Sequence, residues 1–526
     1  MVSSDANSAD MKKLLFVFVL FLLCNQSVFS QESPNSENQF QVKGFHLDLR
    51  IQVMPMPALR AFAKNLSGYG INTLIMEWEG TYPFEKHPVI PNRYAYTKVE
   101  IVSFIKYCNS LGIDVIPLQQ SFGHVEYILR NEKYKELRED QKDYSQVCPL
   151  QTKQDSALFT DLYTELASTH TSKYIHIGGD ETYLLGHDER CKAKVEKEGK
   201  SKLYIDYIRM LCNIVIKLGK KPVLWADIAL KYPEAINLLP KGTILIDWNY
   251  GWDMNNFGEH QKLVESGYEI WGAPALRSHP DNYFLTQWEK HFNNIRNFVP
   301  TARNLGYKGI VMTSWSTSGA YSSVFETDEN ITDLYAIRHV YPISGFNILL
   351  AAYAQSIKSN QPLGIDNFIA NYCKKQYGFD QNQSKAFWKA LKTAPYQVMQ
   401  GEVIAPKAIS IKEVLDSTVQ AAQTLNKLKP TKSQPEFEQY RLMTDIRIHY
   451  LRYEEIEKTA NAVSFNPNKV PAILAQLKIL MAEGAKLDQS FIALNKDYLY
   501  PSELAQENEL RDVKVRLLYQ RLSRKR

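Results

Sequence analysis

The 526-residue chain is long enough for two packed domains, and 44% hydrophobic with 23% charged residues is an ordinary composition for a soluble globular protein. A formal charge of +5 with no long basic run excludes nucleic acid as an expected partner. Aromatics reach 12%, with 31 Tyr and 8 Trp, which suits sugar-binding surfaces and equally suits core packing.

Lys12 and Lys13 precede an apolar run from Leu14 to Leu23, followed by a polar stretch with Val28 and Ser30 as the small residues before a cleavage point. That pattern predicts a secretory signal peptide over residues 1–30, with export to the periplasm or the medium. The run is too short for a dependable membrane span, and no later stretch could be one. Cys24 raises the question of a lipid anchor, but bulky Leu23 stands where a small residue is wanted and speaks against it. Residues 31–42, polar and rich in Ser, Asn and Gln, read as a linker. Cys108, Cys148, Cys191, Cys212 and Cys373 follow with neither metal-like spacing nor a disulfide framework, so buried free thiols are expected. No metal and no other cofactor are expected.

From Gly44, apolar β-branched runs alternate with longer amphipathic segments. Strands are predicted at 44–49, 71–78, 113–119, 174–179, 222–228, 244–250, 268–275 and 309–315. Gly70, Gly112, Gly219, Gly267 and Gly306 precede five of them, where a left-handed helix cap is wanted. Eight strands, each leading into a helical stretch, argue for an α/β fold, a closed (β/α)8 TIM barrel over residues 43–345. An open doubly wound sheet is the alternative, without a glycine-rich phosphate loop after the first strand to support it. Segments 410–428, 436–464, 470–488 and 502–524 carry helical periodicity, so residues 346–526 are predicted to form an all-α C-terminal region packed on the barrel. A homodimer is compatible with that region.

In such a barrel, chemistry sits at the C-terminal ends of the strands. Those ends carry Asp48 and Arg50; Glu77, Trp78 and Glu79; Gln119, Gln120 and then His124; Asp180 and Glu181; Trp225 and Asp227; Asp247, Trp248 and Tyr250; Trp271 and then Arg277; and Trp315. Acids and aromatics converge on one rim. Indole faces with a few hydrogen-bonding side chains suit a pyranose, whose C–H faces pack on rings while its hydroxyls seek polar partners. Trp78 and Trp271 read as core, whereas Trp225, Trp248 and Trp315 read as pocket walls.

The fourth strand end is the most informative. Tyr174-Ile175-His176-Ile177-Gly178-Gly179-Asp180-Glu181-Thr182 reads as a short buried strand that breaks at two glycines and presents two adjacent carboxylates. At roughly 5 Å and an effective dielectric near 20, they repel by about 3 kcal/mol, enough to raise one pKa by about 2 units. One acid is then expected to stay protonated near neutral pH and the other charged. An N-cap aspartate followed by a first-turn glutamate is the alternative reading of the same pair.

With these residues assembled, the chain resembles the family 20 glycoside hydrolases, the β-N-acetylhexosaminidases, through His176-x-Gly178-Gly179-Asp180-Glu181. It is similar in particular to their hexosaminidase D branch, through Phe45-His46-Leu47-Asp48-Leu49, Phe122-Gly123-His124-Val125-Glu126, Tyr94-Ala95-Tyr96 and Val223-Leu224-Trp225-Ala226-Asp227. The resemblance covers the barrel, and the extra N-terminal α/β domain of many members is not expected here, because the barrel pattern follows the signal almost at once. It implies substrate-assisted retaining hydrolysis, in which the substrate's 2-acetamido oxygen attacks the anomeric carbon to give an oxazolinium, an exception to the enzyme-nucleophile route. By that resemblance Glu181 protonates the leaving oxygen and then deprotonates water, and Asp180, charged, orients the acetamido N–H. His124 matches the family's histidine, with Glu79 as its expected partner. Trp225, Trp248 and Trp315 match the aromatic walls, and Asp227 lies beside them. Ala275 and Leu276 stand where a tyrosine binds the acetamido oxygen in better-known members, so that role moves to Tyr250. Arg50 is the candidate for the 3- and 4-hydroxyls, with a structural ion pair to Asp48 as the alternative. Ser316-Thr317-Ser318 replace the glutamate that often follows the last tryptophan, which leaves the gluco or galacto preference open.

The implied partner is a glycan ending in an N-acetylhexosamine. Two other readings stand beside this one. A barrel glycosidase could use Glu79 or Asp227 as its own nucleophile, and a carbohydrate-binding barrel could have lost turnover.

Overall fold

The computed structural model describes residues 40–253, 255–256, 258–278, 281–316, 340–399 and 401–524. The expected signal peptide, most of the expected linker, and Thr317 and Ser318 lie outside them. Eight parallel strands pair in chain order: β1 (Val42–Asp48), β2 (Thr73–Glu77), β3 (Asp114–Leu118), β4 (Tyr174–His176), β5 (Lys221–Trp225), β6 (Ile244–Trp248), β7 (Glu269–Ala273) and β8 (Gly309–Ser314). β8 returns to β1 in register from Val42↔Gly309 to Leu47↔Ser314, which closes the (β/α)8 TIM barrel. β7 is interrupted at Pro274, which has no N–H for the ladder, and resumes as Ala275–Arg277 beside the end of β8.

Strand parity divides the core. On β2, Leu74 and Met76 face the helices while Ile75 faces the barrel interior; on β5, Leu224 faces out while Val223 and Trp225 face in. The interior is filled by Ile75, Ile116, Val223, Ile244, Ile246, Val311 and the indoles of Trp225 and Trp271. β4 is shorter than its hydrophobic pattern predicts. Gly178 and Gly179 adopt φ of +72° and +92°, a left-handed turn that ends the extended backbone.

The helix Asn347–Ser356 lies against the barrel, where the Tyr353 hydroxyl donates to the carbonyls of Gly44 and Ile310. Beyond it the described residues are helical apart from loops and one short hairpin, Gln397–Met399 with Glu402–Ile404, which the sequence pattern did not announce. Its helices brace the loops on the C-terminal face of the barrel. Gln52 donates to Glu507, Arg511 donates to the Tyr283 hydroxyl, and Tyr94 stacks on Tyr500 at 5.6 Å. Among the described residues, no helix is long and apolar enough to cross a membrane.

Candidate active site

The turn after β4 builds the site. A Cβ at Gly178 would fall 1.9 Å from Gln120 Oε1, so only glycine lets β3 and β4 approach this closely at their ends. Glu181 itself takes φ +47°, and His124, on the loop after β3, takes φ +56°. Two non-glycine residues in the left-handed region, brought together from separate loops, mark a place where geometry overrides local preference.

Both acids converge on His124. Its Nε2 stands 3.2 Å from Glu181 Oε2 and 3.5 Å from Asp180 Oδ2, and the Tyr183 hydroxyl donates to Glu181 Oε1 at 2.7 Å. Asp180 is buried, whereas the Glu181 side chain keeps 28% of its surface open to solvent. Burial alone would lower the His124 pKa, but the two carboxylates beside it push it up to about 10. Burial pushes Asp180 up to about 6 despite His124. Burial also acts to raise Glu181, yet hydrogen bonds from His124 and Tyr183 outweigh it and hold Glu181 below the ordinary glutamate value. The pair therefore splits in proton affinity in the opposite sense to the expected one. Asp180 is the deeper acid with no hydroxyl donor, and Glu181 collects the donors.

Asp227, the first residue of the short helix Asp227–Lys231 after β5, completes the group. It accepts from the Glu181 backbone N–H and from Trp248 Nε1, each at 3.2 Å, and burial together with the charge on Asp180 pushes it up to about 7. Trp248 stacks on Tyr250 at 4.9 Å, and the Tyr250 hydroxyl accepts from Trp315 Nε1 at 2.9 Å. Trp225 lies 5.6 Å from Trp315, against His46 and His176, and is fully buried. It forms the floor, while Trp248, Tyr250 and Trp315 each retain 6–8% exposure above it. Trp78 and Trp271 are core side chains, donating to His170 and Glu269.

A second acidic layer lies around Arg50. The guanidinium pairs with Asp48 at 3.2 Å and Glu77 at 3.3 Å and sits 5.5 Å from the centre of the Trp315 ring. Glu77 also takes His46 at 2.8 Å and Gln120 at 3.2 Å. Glu79 and Glu126 are buried with no hydrogen bond to either carboxyl oxygen among the described residues. The expected pairing of Glu79 with His124 is not formed. Burial and the adjacent charge of Glu77 push Glu79 well above the usual range, and burial pushes Glu126 up to about 7. Sequence reading passed over Tyr183, although an aromatic two residues beyond the acid pair was a visible signal. It also passed over Glu77 as the hub of this layer.

Carboxylates of unequal proton affinity beside stacked indoles, at the mouth of a (β/α)8 barrel, define a glycoside hydrolase. Residues 65–331 match the catalytic domain of glycosyl hydrolase family 20, and the chain belongs to that family. Similar relatives include hexosaminidase D of Bos taurus, 26% identical over 298 residues, which covers 53% of this chain and 86% of the relative. Hexosaminidase D of Homo sapiens is 26% identical over 306 residues, covering 55% of this chain and 62% of the relative. Among solved structures, a β-N-acetylhexosaminidase from Bacteroides fragilis aligns with TM-score 0.48 and 17% identity over 64% of this chain and 70% of that one.

Proposed function

We propose that the chain is an exported, exo-acting β-N-acetylhexosaminidase that releases terminal β-linked GlcNAc or GalNAc with retention, through an oxazolinium formed by the substrate's own acetamido group. One observation carries the mechanism. Of the two carboxyls that could serve as an enzyme nucleophile, Glu79 is held well above the usual range by burial and the charge of Glu77, and Asp227 has its oxygens taken by the Glu181 backbone N–H and Trp248 Nε1. A neutral carboxyl is a poor nucleophile. Asp180, at about 6, is ionised at neutral pH and is the acid suited to accept the acetamido N–H. It then steadies the positive charge that grows on the nitrogen as the carbonyl oxygen attacks.

Glu181 serves as acid and then as base, with His124 as its proton store. In the open site the pair is an ion pair, His124 protonated and Glu181 charged. A bound sugar excludes water, and a low dielectric favours the neutral pair, so the proton moves from Nε2 to the carboxylate beside it. Glu181 gives that proton to the leaving oxygen and recovers one from the attacking water. Trp248, Tyr250 and Trp315 wall the sugar above the Trp225 floor, with Tyr250 directed to the acetamido oxygen and Arg50 to the ring hydroxyls. Export rests on the Lys12–Ser30 pattern.

The test is hydrolysis of an aryl N-acetyl-β-glucosaminide and its galacto epimer, followed by NMR for the anomer first released. Retention with inhibition by a thiazoline mimic is expected. Trapping of a glycosyl-enzyme on Asp227 or Glu79 by a fluorinated sugar would overturn the reading, and sugar binding without turnover would favour a binding barrel instead.

A further inference from the structure

We propose that Cys148 and Cys191 form a disulfide that staples the loop after β3 to the loop after β4, locking the lip of the site. Both thiols are fully buried, and their sulfurs are 3.4 Å apart across 43 residues of sequence. Cys148 closes the long segment that follows His124, and Cys191 lies in the first turn of the helix Glu189–Glu198 that follows Glu181. These are the two segments that bring His124 and Glu181 together.

The surroundings already hold the segments in register. Glu139 Oε1 accepts the backbone N–H groups of Gly186 and Asp188 at 3.0 and 3.1 Å, and Gln146 Oε1 accepts that of Leu184 at 3.0 Å. Cys191 Sγ donates to Glu139 Oε2 at 3.2 Å. Oxidation removes that thiol proton, but Glu139 keeps two backbone donors, so a cross-link leaves no carboxylate stranded. Tyr183, which donates to Glu181, lies within the strap that the bond would anchor.

The chemistry is thiol–disulfide exchange with a low-molecular-weight disulfide such as oxidised glutathione. One protein thiolate attacks a sulfur of the oxidant, forms a mixed disulfide and releases one glutathione thiolate. The second protein thiolate then displaces the other glutathione. Two protein thiols lose two protons and two electrons, and the oxidant leaves as two thiols. In the folded chain, the contact with Cys148, burial and the charge of Glu139 push Cys191 far above an ordinary thiol, so exchange belongs to folding, before the strap seats.

The experiment refolds the full chain in a glutathione redox buffer, and separately in reduced glutathione alone. Each sample is unfolded in the presence of an alkylating agent and mapped by peptide mass. In the redox buffer, a Cys148–Cys191 linked peptide is expected, with Cys108, Cys212 and Cys373 alkylated. Cys148→Ser and Cys191→Ser should each abolish the linked peptide. Because these variants could misfold, the reduced wild type serves as the matched control. It should inactivate on heating about tenfold faster or more than the oxidised form, the difference expected when a long loop is left open. Full alkylation of both cysteines after redox refolding overturns the proposal. So would stoichiometric zinc recovered with two free thiols, which would make Glu139, Cys148 and Cys191 a metal site instead. The peptide map reads out independently of any glycosidase activity.

Discussion

The Tyr183 hydroxyl and His124 Nε2 take opposite oxygens of the Glu181 carboxylate, at 2.7 Å and 3.2 Å. The proposed acid is thus clamped from both sides, by one donor that is exposed and one that is buried. Tyr183→Phe removes the exposed donor only. It should lower kcat about threefold to tenfold on an aryl N-acetylglucosaminide, since a charge-assisted hydrogen bond is partly replaced by water. It should also raise the pKa of Glu181, visible as a displaced pH–rate profile. Unchanged kcat and an unchanged profile would mean the hydroxyl is a bystander.

Glu181→Gln should cost about 10²- to 10⁴-fold in kcat on substrates with poor leaving groups. The deficit should shrink on a dinitrophenyl glycoside, which departs without a proton. Asp180→Asn should lose activity on both kinds of substrate, because its proposed role is to support the attacking amide. Steady-state kinetics on a pair of leaving groups separates the two roles. An equal loss for Glu181→Gln on both substrates would remove it as the acid.

The pH dependence follows from two neighbours of opposite charge. Activity should rise with pH as Asp180 ionises near 6 and fall as His124 gives up its proton toward 10. His124→Gln should bring the alkaline limb to lower pH and reduce kcat. A limb that stays in place would show that the proton store lies elsewhere.

Stability should follow the same acids with a definite sign. Folding raises Asp180 from 3.8 to about 6 and Asp227 from 3.8 to about 7. A raised carboxyl binds its proton more tightly in the folded state, so its contribution is complete below pH 3.8 and is lost as pH climbs through 6 to 7. Asp227→Asn should therefore flatten the denaturation midpoint between about pH 4 and 8. An undiminished slope would rule the pair out as its cause.

Gly178→Ala should destabilise the chain by about 2 kcal/mol or more, from the left-handed backbone alone, and a Cβ would also displace Gln120. Because Gln120 hydrogen-bonds Glu77, activity should fall with stability. Thermal melts and kcat on the same preparation test this.

Much of this was legible in the sequence where the signal is local. Alternation and the glycines before β2, β3, β5, β7 and β8 give the barrel, and strand ends give the rim. Parity along β5 would have assigned Trp225 to the floor instead of the wall, because Val223 and Trp225 share the interior face. The proton distribution was not legible. Adjacency of Asp180 and Glu181 fixes that they interact, but which one keeps the proton depends on His124 and Tyr183, whose placement rests on left-handed backbone at His124 and Glu181. The meeting of Cys148 with Cys191 was equally hidden, since the two loops converge only after β3 and β4 pair.

Gln52, just past the first strand, binds Arg277 at the end of the interrupted seventh strand and Glu507 in the final helix Pro501–Ser523. Two parts of the barrel rim, one after the first strand and one after the seventh, are thereby completed by a segment synthesised after both. A ribosome-bound chain lacking that helix would hold Gln52 with one partner missing. Completion of this part of the rim must therefore wait until that helix has been made and can pack.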